Sequence, residues 1–317
     1  MSANRENTSI WKQDVQSSVD MYNDWFLNFA PKAFRETRVE TTKEVEKSLL
    51  ESNYLKNISR ELIESNPKFL SVLRMSTCPP IAVDRLIGLS GANANFVKSI
   101  ENNCCIPPRA SQTSINENFT KVIAVIKKLL DPDIFTWISE KREAKEIELY
   151  RASTIIADRL CGSIANPIIR NAQEARQLER IKAYLEGKGY LFIEKHVETF
   201  KDMKSGTFSF RHNVKVNKTE GSKETNIPVD VIIKRISGSK VPLFIEAKSA
   251  GDFANVNKRR KEEAQKMTQM RDTYGKGVDF ALFLCVYFDS AYLGYEAAEG
   301  IDWIWEHRIT DFEKLGV

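Results

Sequence analysis

The sequence predicts an α/β protein in which a largely helical N-terminal region precedes a mixed β-sheet flanked by helices. From about residue 14 to about residue 160, apolar residues recur three and four positions apart, which is the period of an amphipathic helix. After residue 164 a helix is followed by three strand-like runs, and then a helix, a strand, a helix and a strand alternate. The predicted domains are therefore residues 1–163 and residues 164–317.

Composition indicates an ordinary globular chain. Of the 317 residues, 42% are hydrophobic and 28% are charged, which fits a soluble protein with a proper core. No apolar run approaches the roughly 20 residues that a membrane-spanning helix needs. The N-terminus, MSANRENTSIWKQD, lacks the apolar core of a signal peptide. We therefore expect a cytoplasmic location and no membrane partner.

Cysteine and histidine usage argues against several kinds of site. The five cysteines form no CxxC pair, and the three histidines are far apart and show no ligand spacing. We expect reduced thiols, no zinc site and no histidine-based catalytic triad. The formal net charge of +4 is compatible with nucleic-acid binding without being diagnostic of it.

Prolines and glycines set the predicted helix ends. The helix SVDMYNDWFLNF is expected to end at Pro31, because proline lacks the N–H that continues a helix. The helix NPIIRNAQEARQLERIKAYLEGKGY is expected to open after Asn166-Pro167 and to end at Gly187 and Gly189. Two longer amphipathic runs between them, NENFTKVIAVIKKLL and DIFTWISEKREAKEIELYRASTIIADRL, each predict a helix.

The C-terminal half carries the strands. GTFSFRHNVKV, IPVDVIIKRI and VPLFIEAKS read as three consecutive strands, followed by a helix from about residue 255 to Tyr274 that Gly275 stops. VDFALFLCVYF is a continuous apolar run, typical of a central buried strand. IDWIWEH predicts a last strand and RITDFEKL a short final helix. The step from EAKS to FALFLC predicts a parallel crossover through the intervening helix.

Glu246 and Lys248 lie two residues apart at the end of an apolar strand, so their side chains leave the same face. Taken alone, the pair is explained by an ion pair at a strand terminus. Asp230 changes this interpretation, because fifteen residues separate it from Glu246 and a turn at Ser237-Gly238-Ser239 lies near the middle. Two antiparallel strands joined at that turn bring Asp230 beside Glu246.

These residue types suit metal-assisted phosphoryl chemistry. Two carboxylates, the carbonyl of Ala247 and water form a hard-oxygen site of the kind that Mg²⁺ prefers. A bound metal lowers the pKa of its water and offsets charge on a phosphoryl oxygen. Lys248 can then orient the attacking water and stabilise the transition state.

The arrangement resembles a known nuclease core. P-V-D, with Val229 between Pro228 and Asp230, followed by E-A-K on the next strand resembles the PD-(D/E)xK pattern. Three longer runs are similar to the XamI type of type II restriction endonucleases, and the resemblance spans roughly Cys78 to the C-terminus. These runs are NPIIRNAQEARQL, IEAKSAGDFANVNKRRKEEAQK and FDSAYLGYEAAEGIDWIWEHRITD.

The resemblance implies roles for single residues. It makes Asp230 and Glu246 metal ligands and Lys248 the catalytic lysine. Nucleases of this fold often carry one more acidic residue on the helix that precedes the sheet, and Glu174 is the candidate, with Glu179 second. The alternative for Glu174 is a helix-surface pair with a nearby arginine, Arg170 or Arg176.

The resemblance also implies an activity: Mg²⁺-dependent hydrolysis of both strands of duplex DNA at a short palindrome, for which it suggests GTCGAC, leaving 5′-phosphate and 3′-hydroxyl ends. A palindromic target implies a two-fold homodimer, and host protection implies a companion DNA methyltransferase. Two alternatives stay open. One is a DNA-binding regulator with a degenerate nuclease fold, and the other is a structure-specific repair nuclease.

Two segments are candidates for DNA contact. Lys258, Arg259, Arg260 and Lys261 form a basic run at the start of a helix next to the proposed centre, suited to phosphate contact or guanine readout. Because two glutamates follow, a solvated helix face is the alternative. The second segment, residues 81–102, is similar to a helix-turn-helix with its turn at Ser90-Gly91-Ala92. The residues that would point toward a groove are Asn93, Asn95 and Lys98.

Overall fold

The computed structural model describes the backbone of residues 2–194, 200–217, 224–238, 241–250, 256–275 and 277–317. Side chains are described over the same ranges except at residue 250 and residues 256–260.

The chain forms ten α-helices and six β-strands within these ranges. The helices are α1 (Trp11–Glu51), α2 (Arg60–Ser65), α3 (Phe69–Met75), α4 (Val83–Ser90), α5 (Ala94–Asn103), α6 (Gln112–Leu129), α7 (Thr136–Ser139), α8 (Glu146–Gly187), α9 (Val256–Tyr274) and α10 (Ser290–Ala298). The strands are β1 (Leu191–Phe192), β2 (Thr207–Asn217), β3 (Glu224–Lys234), β4 (Leu243–Ala250), β5 (Asp279–Val286) and β6 (Asp302–Trp305). Short 3₁₀ segments lie at Thr8–Ile10, Phe200–Asp202 and Glu306–Leu315.

The chain divides into two compact units. One contains residues 1–29 and 170–317 and holds the sheet, and the other contains residues 30–169. The boundary expected at residue 163/164 therefore differs from the observed one in two ways. The first 29 residues pack with the C-terminal part of the chain, and the second division falls at residue 169/170, six residues after the expected one.

The six strands form one mixed sheet in the order β1-β2-β3-β4-β5-β6. β2, β3 and β4 are antiparallel neighbours, whereas β4, β5 and β6 run parallel. The predicted mixed α/β architecture is confirmed, including the parallel step from β4 through α9 to β5. β1 was not expected, because two residues are too short to show the alternation that marks a strand.

The sheet is covered on both faces. Side chains of β5 alternate between two cores, so that Leu282 packs with residues of α9 and α10 and Phe283 packs with residues of α8. All residues of β5 after Asp279 are buried, and the strand lies between β4 and β6. Burial on both faces is the physical reason for its unbroken apolar run, and the prediction of a central strand is confirmed.

Both proline-based helix ends are wrong. α1 continues through Pro31 and α8 continues through Pro167. Proline frees the carbonyl four residues earlier, which is costly only where water cannot replace the lost partner. These carbonyls belong to Leu27, which is 70% exposed, and to the exposed Ser163. Each helix therefore tolerates its proline on a solvated side. The predicted end of α8 at Gly187 is observed.

The unit formed by residues 30–169 has its own helical core, which runs from Val45 in α1 to Leu160 in α8. A buried ion pair stabilises it. Arg74 in α3 donates from Nε and Nη2 to the two carboxylate oxygens of Glu101 in α5, at 2.6 and 2.8 Å.

Nowhere in the described ranges is a helix both long enough and apolar enough to cross a lipid bilayer.

Polar contacts hold the N-terminal residues against the end of the sheet. The carboxylate of Asp302 accepts from the backbone N–H groups of Asn4 and Arg5, at 2.9 and 3.1 Å. In α1, Asp14 accepts two hydrogen bonds from the Arg308 guanidinium, at 2.6 and 2.9 Å. Burial acts to raise the pKa of Asp14, but hydrogen bonds from His307 and Arg308 outweigh it and lower the pKa overall.

Asp14→Ala is expected to lower the free energy of unfolding by about 2 kcal/mol, because it removes two charge-assisted hydrogen bonds from Arg308, which keeps its contacts with Asp311 and Asn4. Urea unfolding at neutral pH measures this. Asp20→Ala is the matched control, since Asp20 is an exposed aspartate of the same helix and should change stability by less than about 0.5 kcal/mol. Equal midpoints for the two variants would contradict the structural role of Asp14.

Candidate active site

The register of β3 and β4 brings two carboxylates together. Val231 pairs with Ile245 in this antiparallel ladder, and one further step in the same register places Asp230 opposite Glu246. Asp230 Oδ2 accepts a hydrogen bond from the backbone N–H of Ala247 at 2.8 Å. The juxtaposition expected from the spacing of these residues is therefore present in the structure.

Glu246 and Lys248 contact each other from the same face of β4. Lys248 Nζ donates to Glu246 Oε1 at 3.0 Å, and only 6% of Glu246 is exposed. The ion pair considered for the isolated triplet is real, but it forms part of a larger cluster in which Asp230 also lies.

Helix α9 adds two residues that the sequence did not reveal. Lys266 Nζ donates to Glu246 Oε1 at 2.7 Å and to the carbonyl of Pro228 at 3.0 Å. Glu263 Oε1 lies 3.3 Å from Lys248 Nζ, and its side chain is 1% exposed. Positions 263 and 266 share one face of a helix, and this spacing is the signal that could have identified them.

The alternative interpretation of the glutamates that follow the basic run is half correct. Glu262 is exposed, as a solvated helix face predicts, but Glu263 is buried. Tyr292 in α10 donates from its hydroxyl to Glu263 Oε2 at 2.8 Å, which satisfies the second carboxylate oxygen. A second buried glutamate, Glu296, lies on α10. Burial and the nearby Glu263 raise the pKa of Glu296 to about 8, so its carboxyl group is protonated at neutral pH.

Burial and like charge dominate the electrostatics of the cluster. Burial, with the neighbouring Glu246 carboxylate, raises the pKa of Asp230 to about 6. Burial alone would lower the pKa of Lys248, but the Glu246 and Glu263 carboxylates raise it overall and keep the ammonium charged. The site is thus a concentrated set of buried carboxylates that two lysines partly neutralise.

The cluster opens into a cavity of about 310 Å³. One wall is the place where the pairing between β3 and β4 ends, next to Asp230 and Glu246, which we call the β3–β4 end. The other wall is a face of α8. The lining residues are Arg170, Gln173, Glu174, Gln177, Asp230, Glu246, Ala247, Lys248 and Ser249.

Glu174 lies on the α8 wall of this cavity, as its proposed catalytic role requires. Its carboxylate accepts from Arg211 Nη2 of β2 at 2.8 Å, so the expected helix-surface pair with Arg170 or Arg176 is wrong. Arg176 instead donates to Glu306 at 3.0 Å, while Glu179 is exposed and does not line the cavity.

The residues present fit a hard divalent cation. Glu246 Oε2 is buried, and it has no hydrogen-bond partner among the described residues. Within one residue of a strand the N–H and the C=O point to the same side, so the Ala247 carbonyl faces the side from which its N–H meets Asp230. The described residues contain no cluster of three or more histidine, cysteine or acidic side chains suited to a metal. Asp230, Glu246 and the Ala247 carbonyl are the protein oxygens that lie together at this site.

The basic run lies mostly outside the described side chains. The structure describes only the backbone, within α9, of Lys258, Arg259 and Arg260. Their side chains are outside the described part of the chain. Lys261 is exposed on the same helix. Its proposed role in DNA binding stays a prediction.

The predicted helix-turn-helix boundaries match α4 and α5. Gly91 ends α4 in the left-handed region with φ of 62°, and Val97 and Ile100 face the core. Asn93, however, uses its side-chain oxygen to cap α5 through the N–H of Phe96, and the exposed Lys98 pairs with Asp84 at 3.0 Å. Asn95 is exposed without a described contact of this kind. A groove-reading role for these residues stays a prediction.

Asp230→Asn is expected to stabilise the metal-free protein. Because the folded-state pKa is raised to about 6 from 3.8, protonation favours folding, and this contribution is lost as pH rises through that window. In EDTA at pH 8 the variant should be more stable by about 3 kcal/mol, from roughly two pKa units at 1.36 kcal/mol each. Near pH 4 the gain should largely vanish.

Thermal and urea unfolding at the two pH values measure this difference. Asp272→Asn, at an exposed aspartate of α9, serves as the control and should show little change at either pH. A gain for Asp230→Asn that is equal at pH 4 and pH 8 would contradict the buried-carboxylate explanation.

Comparison with known proteins identifies the family of the chain. The chain is 46% identical to the type II restriction enzyme SalI from Streptomyces albus G over 317 residues, which cover 99% of each chain. A solved structure, protein VC1899 from Vibrio cholerae, shares 10% identity over 86% of this chain and 55% of that one, with a TM-score of 0.28, and this likeness is too low to support an argument about the fold. The model of the XamI restriction endonuclease family matches residues 53–305. The chain belongs to the XamI restriction endonuclease family.

Proposed function

We propose that this restriction endonuclease hydrolyses phosphodiester bonds in both strands of duplex DNA at a short palindromic sequence and that it requires Mg²⁺. The observation that carries the proposal is the cluster of Asp230, Glu246 and Lys248 at one end of β3 and β4, open to a cavity. The antiparallel β3–β4 pair and the parallel β4–α9–β5 step support a PD-(D/E)xK core. The relative from Streptomyces albus G is named a type II enzyme, which supports site-specific cleavage.

Asp230, Glu246 and the carbonyl of Ala247 are the proposed ligands of the metal. When bound, Mg²⁺ would lower the pKa of a coordinated water and offset charge on the phosphoryl group. The raised pKa of Asp230 supports this role, because burial and the nearby Glu246 carboxylate disfavour its charged state, which a bound cation would favour. The unpartnered Glu246 Oε2 described above is a further oxygen available to a cation.

Lys248 is proposed to act as a charged donor. An ammonium group has three N–H donors, and the hydrogen bond to Glu246 accounts for one of them in the described structure. A remaining donor can donate to the attacking water or to a nonbridging phosphate oxygen, where charge increases in the transition state. Glu263 supports this role as an ion-pair partner 3.3 Å from the ammonium, and Tyr292 donates a hydrogen bond to the other oxygen of the Glu263 carboxylate.

The proposal extends to a further acidic residue, to the oligomeric state and to a partner of the system. Glu174 lines the cavity and is proposed as the additional acidic residue of the site, and its contact with Arg211 shows that an arginine is within reach of it. A palindromic target requires each subunit to cut one strand, so a two-fold homodimer is proposed. A companion DNA methyltransferase that protects the host DNA is proposed as a partner of the system, without a stable complex.

Lys248→Ala and Asp230→Ala are each expected to abolish cleavage, with a loss of at least about a thousandfold, while leaving target binding in Ca²⁺ largely intact. Single-turnover cleavage of a labelled duplex measures the first effect, and fluorescence anisotropy measures the second. Lys188→Ala is the control, because Lys188 is an exposed lysine of the same unit that pairs with Glu313. Cleavage by either active-site variant at the control rate would overturn the assignment.

Digestion of plasmid DNA of known sequence with Mg²⁺ is expected to give discrete fragments. Sequencing the fragment ends should place both cuts within one palindrome, for which GTCGAC is the first candidate, and should show 5′-phosphates. DNA that is shifted in a gel but uncut would instead support the regulator, and cleavage that follows DNA structure rather than sequence would support the repair nuclease.

A further inference from the structure

One face of α8 is polar where a helix packed against a sheet is ordinarily apolar. Arg170, Gln173, Glu174 and Gln177 follow the spacing i, i+3, i+4 and i+7, which in most helices marks the stripe that faces the core. All four residues line the cavity that contains Asp230 and Glu246. One turn further along, Leu178 and Ile181 return to the apolar pattern and pack against the sheet. The polar stripe is therefore confined to the cavity wall.

Two members of this stripe are buried glutamines. Gln173 is 7% exposed and Gln177 is 2% exposed, so both amides have lost most of their contact with water. Within the described part of the chain, neither Nε2 group has a hydrogen-bond partner. A buried amide without a partner costs free energy that folding does not recover. Such a group in a native protein calls for a partner, and a ligand bound in the cavity is one that can supply it.

The chemistry of the two amides limits what that partner is. An amide NH₂ group donates two hydrogen bonds, and half a turn about the last side-chain torsion exchanges it with the carbonyl oxygen. Each glutamine can therefore present donors to the cavity. A ligand with several acceptor oxygens satisfies both amides, which stand one helical turn apart.

Charge on the α8 wall favours an anionic ligand, whereas the opposite wall carries the carboxylates of Asp230 and Glu246. Glu174 is paired with Arg211, and Lys248 and Lys266 pair with Glu246 on the opposite wall. Arg170 is exposed at the start of the polar stripe and adds a positive charge. The nonbridging oxygens of a DNA phosphate match this combination of donors and positive charge.

We propose that Gln173 and Gln177 bind phosphate oxygens of the DNA backbone at or next to the bond that is cut, so that the α8 face positions the strand against the β3–β4 end. This inference rests on the proposed function, because it takes DNA as the substrate. It adds residues that position the substrate, and it leaves the reaction steps to the other wall of the cavity.

Measurements of unfolding distinguish this proposal from a purely structural role of the two amides. Methionine has nearly the length and volume of glutamine but no donors. If the amides serve DNA, Gln173→Met and Gln177→Met should leave the unfolding midpoint of the DNA-free protein unchanged or raised, since each removes an unpartnered polar group. If the amides hold the fold through ordered water, both variants should unfold at lower urea concentration.

The binding experiment uses the full-length protein in Ca²⁺ with a fluorescent duplex that carries its cleavage site. Each methionine variant is expected to bind about tenfold more weakly than the wild type, the effect of one hydrogen bond to a charged group. Gln177→Glu, which keeps the shape and adds a negative charge, should bind more weakly still and serves if a methionine variant does not fold. Asn171→Ala, on an exposed position of the same helix, is the control and should bind like the wild type.

A chemically altered duplex tests the contact itself. Replacing single phosphates near the cut with neutral methylphosphonates should weaken binding by the wild type at the contacted position. At that same position Gln177→Met should lose much less, because its contact is already absent. Equal losses for both proteins at every position, or methionine variants that bind as tightly as the wild type, would overturn the proposal. Because no cleavage is measured, this failure is distinct from failure of the proposed nuclease activity, which the Lys248→Ala variant tests.

Discussion

Two carboxylates side by side, Glu246 buried and Asp230 half-buried, are the constraint on which the rest of this site depends. The register of β3 and β4 places Asp230 opposite Glu246, where burial and like charge disfavour full ionisation. The chain offsets this with two lysines, one from β4 and one from α9, that share a single oxygen of Glu246. Without these cations Glu246 would carry an uncompensated buried charge, which costs about 3–5 kcal/mol.

The compensation extends through a second layer of buried groups. Lys248 also faces Glu263, which Tyr292 holds through its hydroxyl, so the two helices on one face of the sheet take part in placing the lysine. On the cavity side, α8 supplies polar groups of which two are buried without a partner in the described chain. The residues at the β3–β4 end thus have charged partners on α9, whereas two buried amides of α8 have no hydrogen-bond partner in the described chain. Buried polar groups without a partner lower the stability of the fold.

Much of the fold could be predicted from local patterns. The strands β2 to β6 and the helix between β4 and β5 follow from alternation, from the unbroken apolar run of β5 and from Gly275 after α9. The proline rule failed at Pro31 and Pro167, because the effect of a proline depends on whether the carbonyl it frees can reach water. The place of the first 29 residues against the sheet was also missed, since contacts such as Asp14 with Arg308 join residues nearly 300 positions apart.

The sequence by itself determined the two strands that carry Asp230, Glu246 and Lys248, because strand period and turn position set which side chains meet across a hairpin. The sequence also contains the polar stripe of α8, because Arg170, Gln173, Glu174 and Gln177 follow helical spacing. Only the tertiary structure decided that α9 directs Glu263 and Lys266 into the same cluster and that Glu174 pairs with Arg211. A helix has polar residues on several faces, and which of them becomes buried depends on the rotation at which it packs on the sheet, a quantity that no local pattern contains.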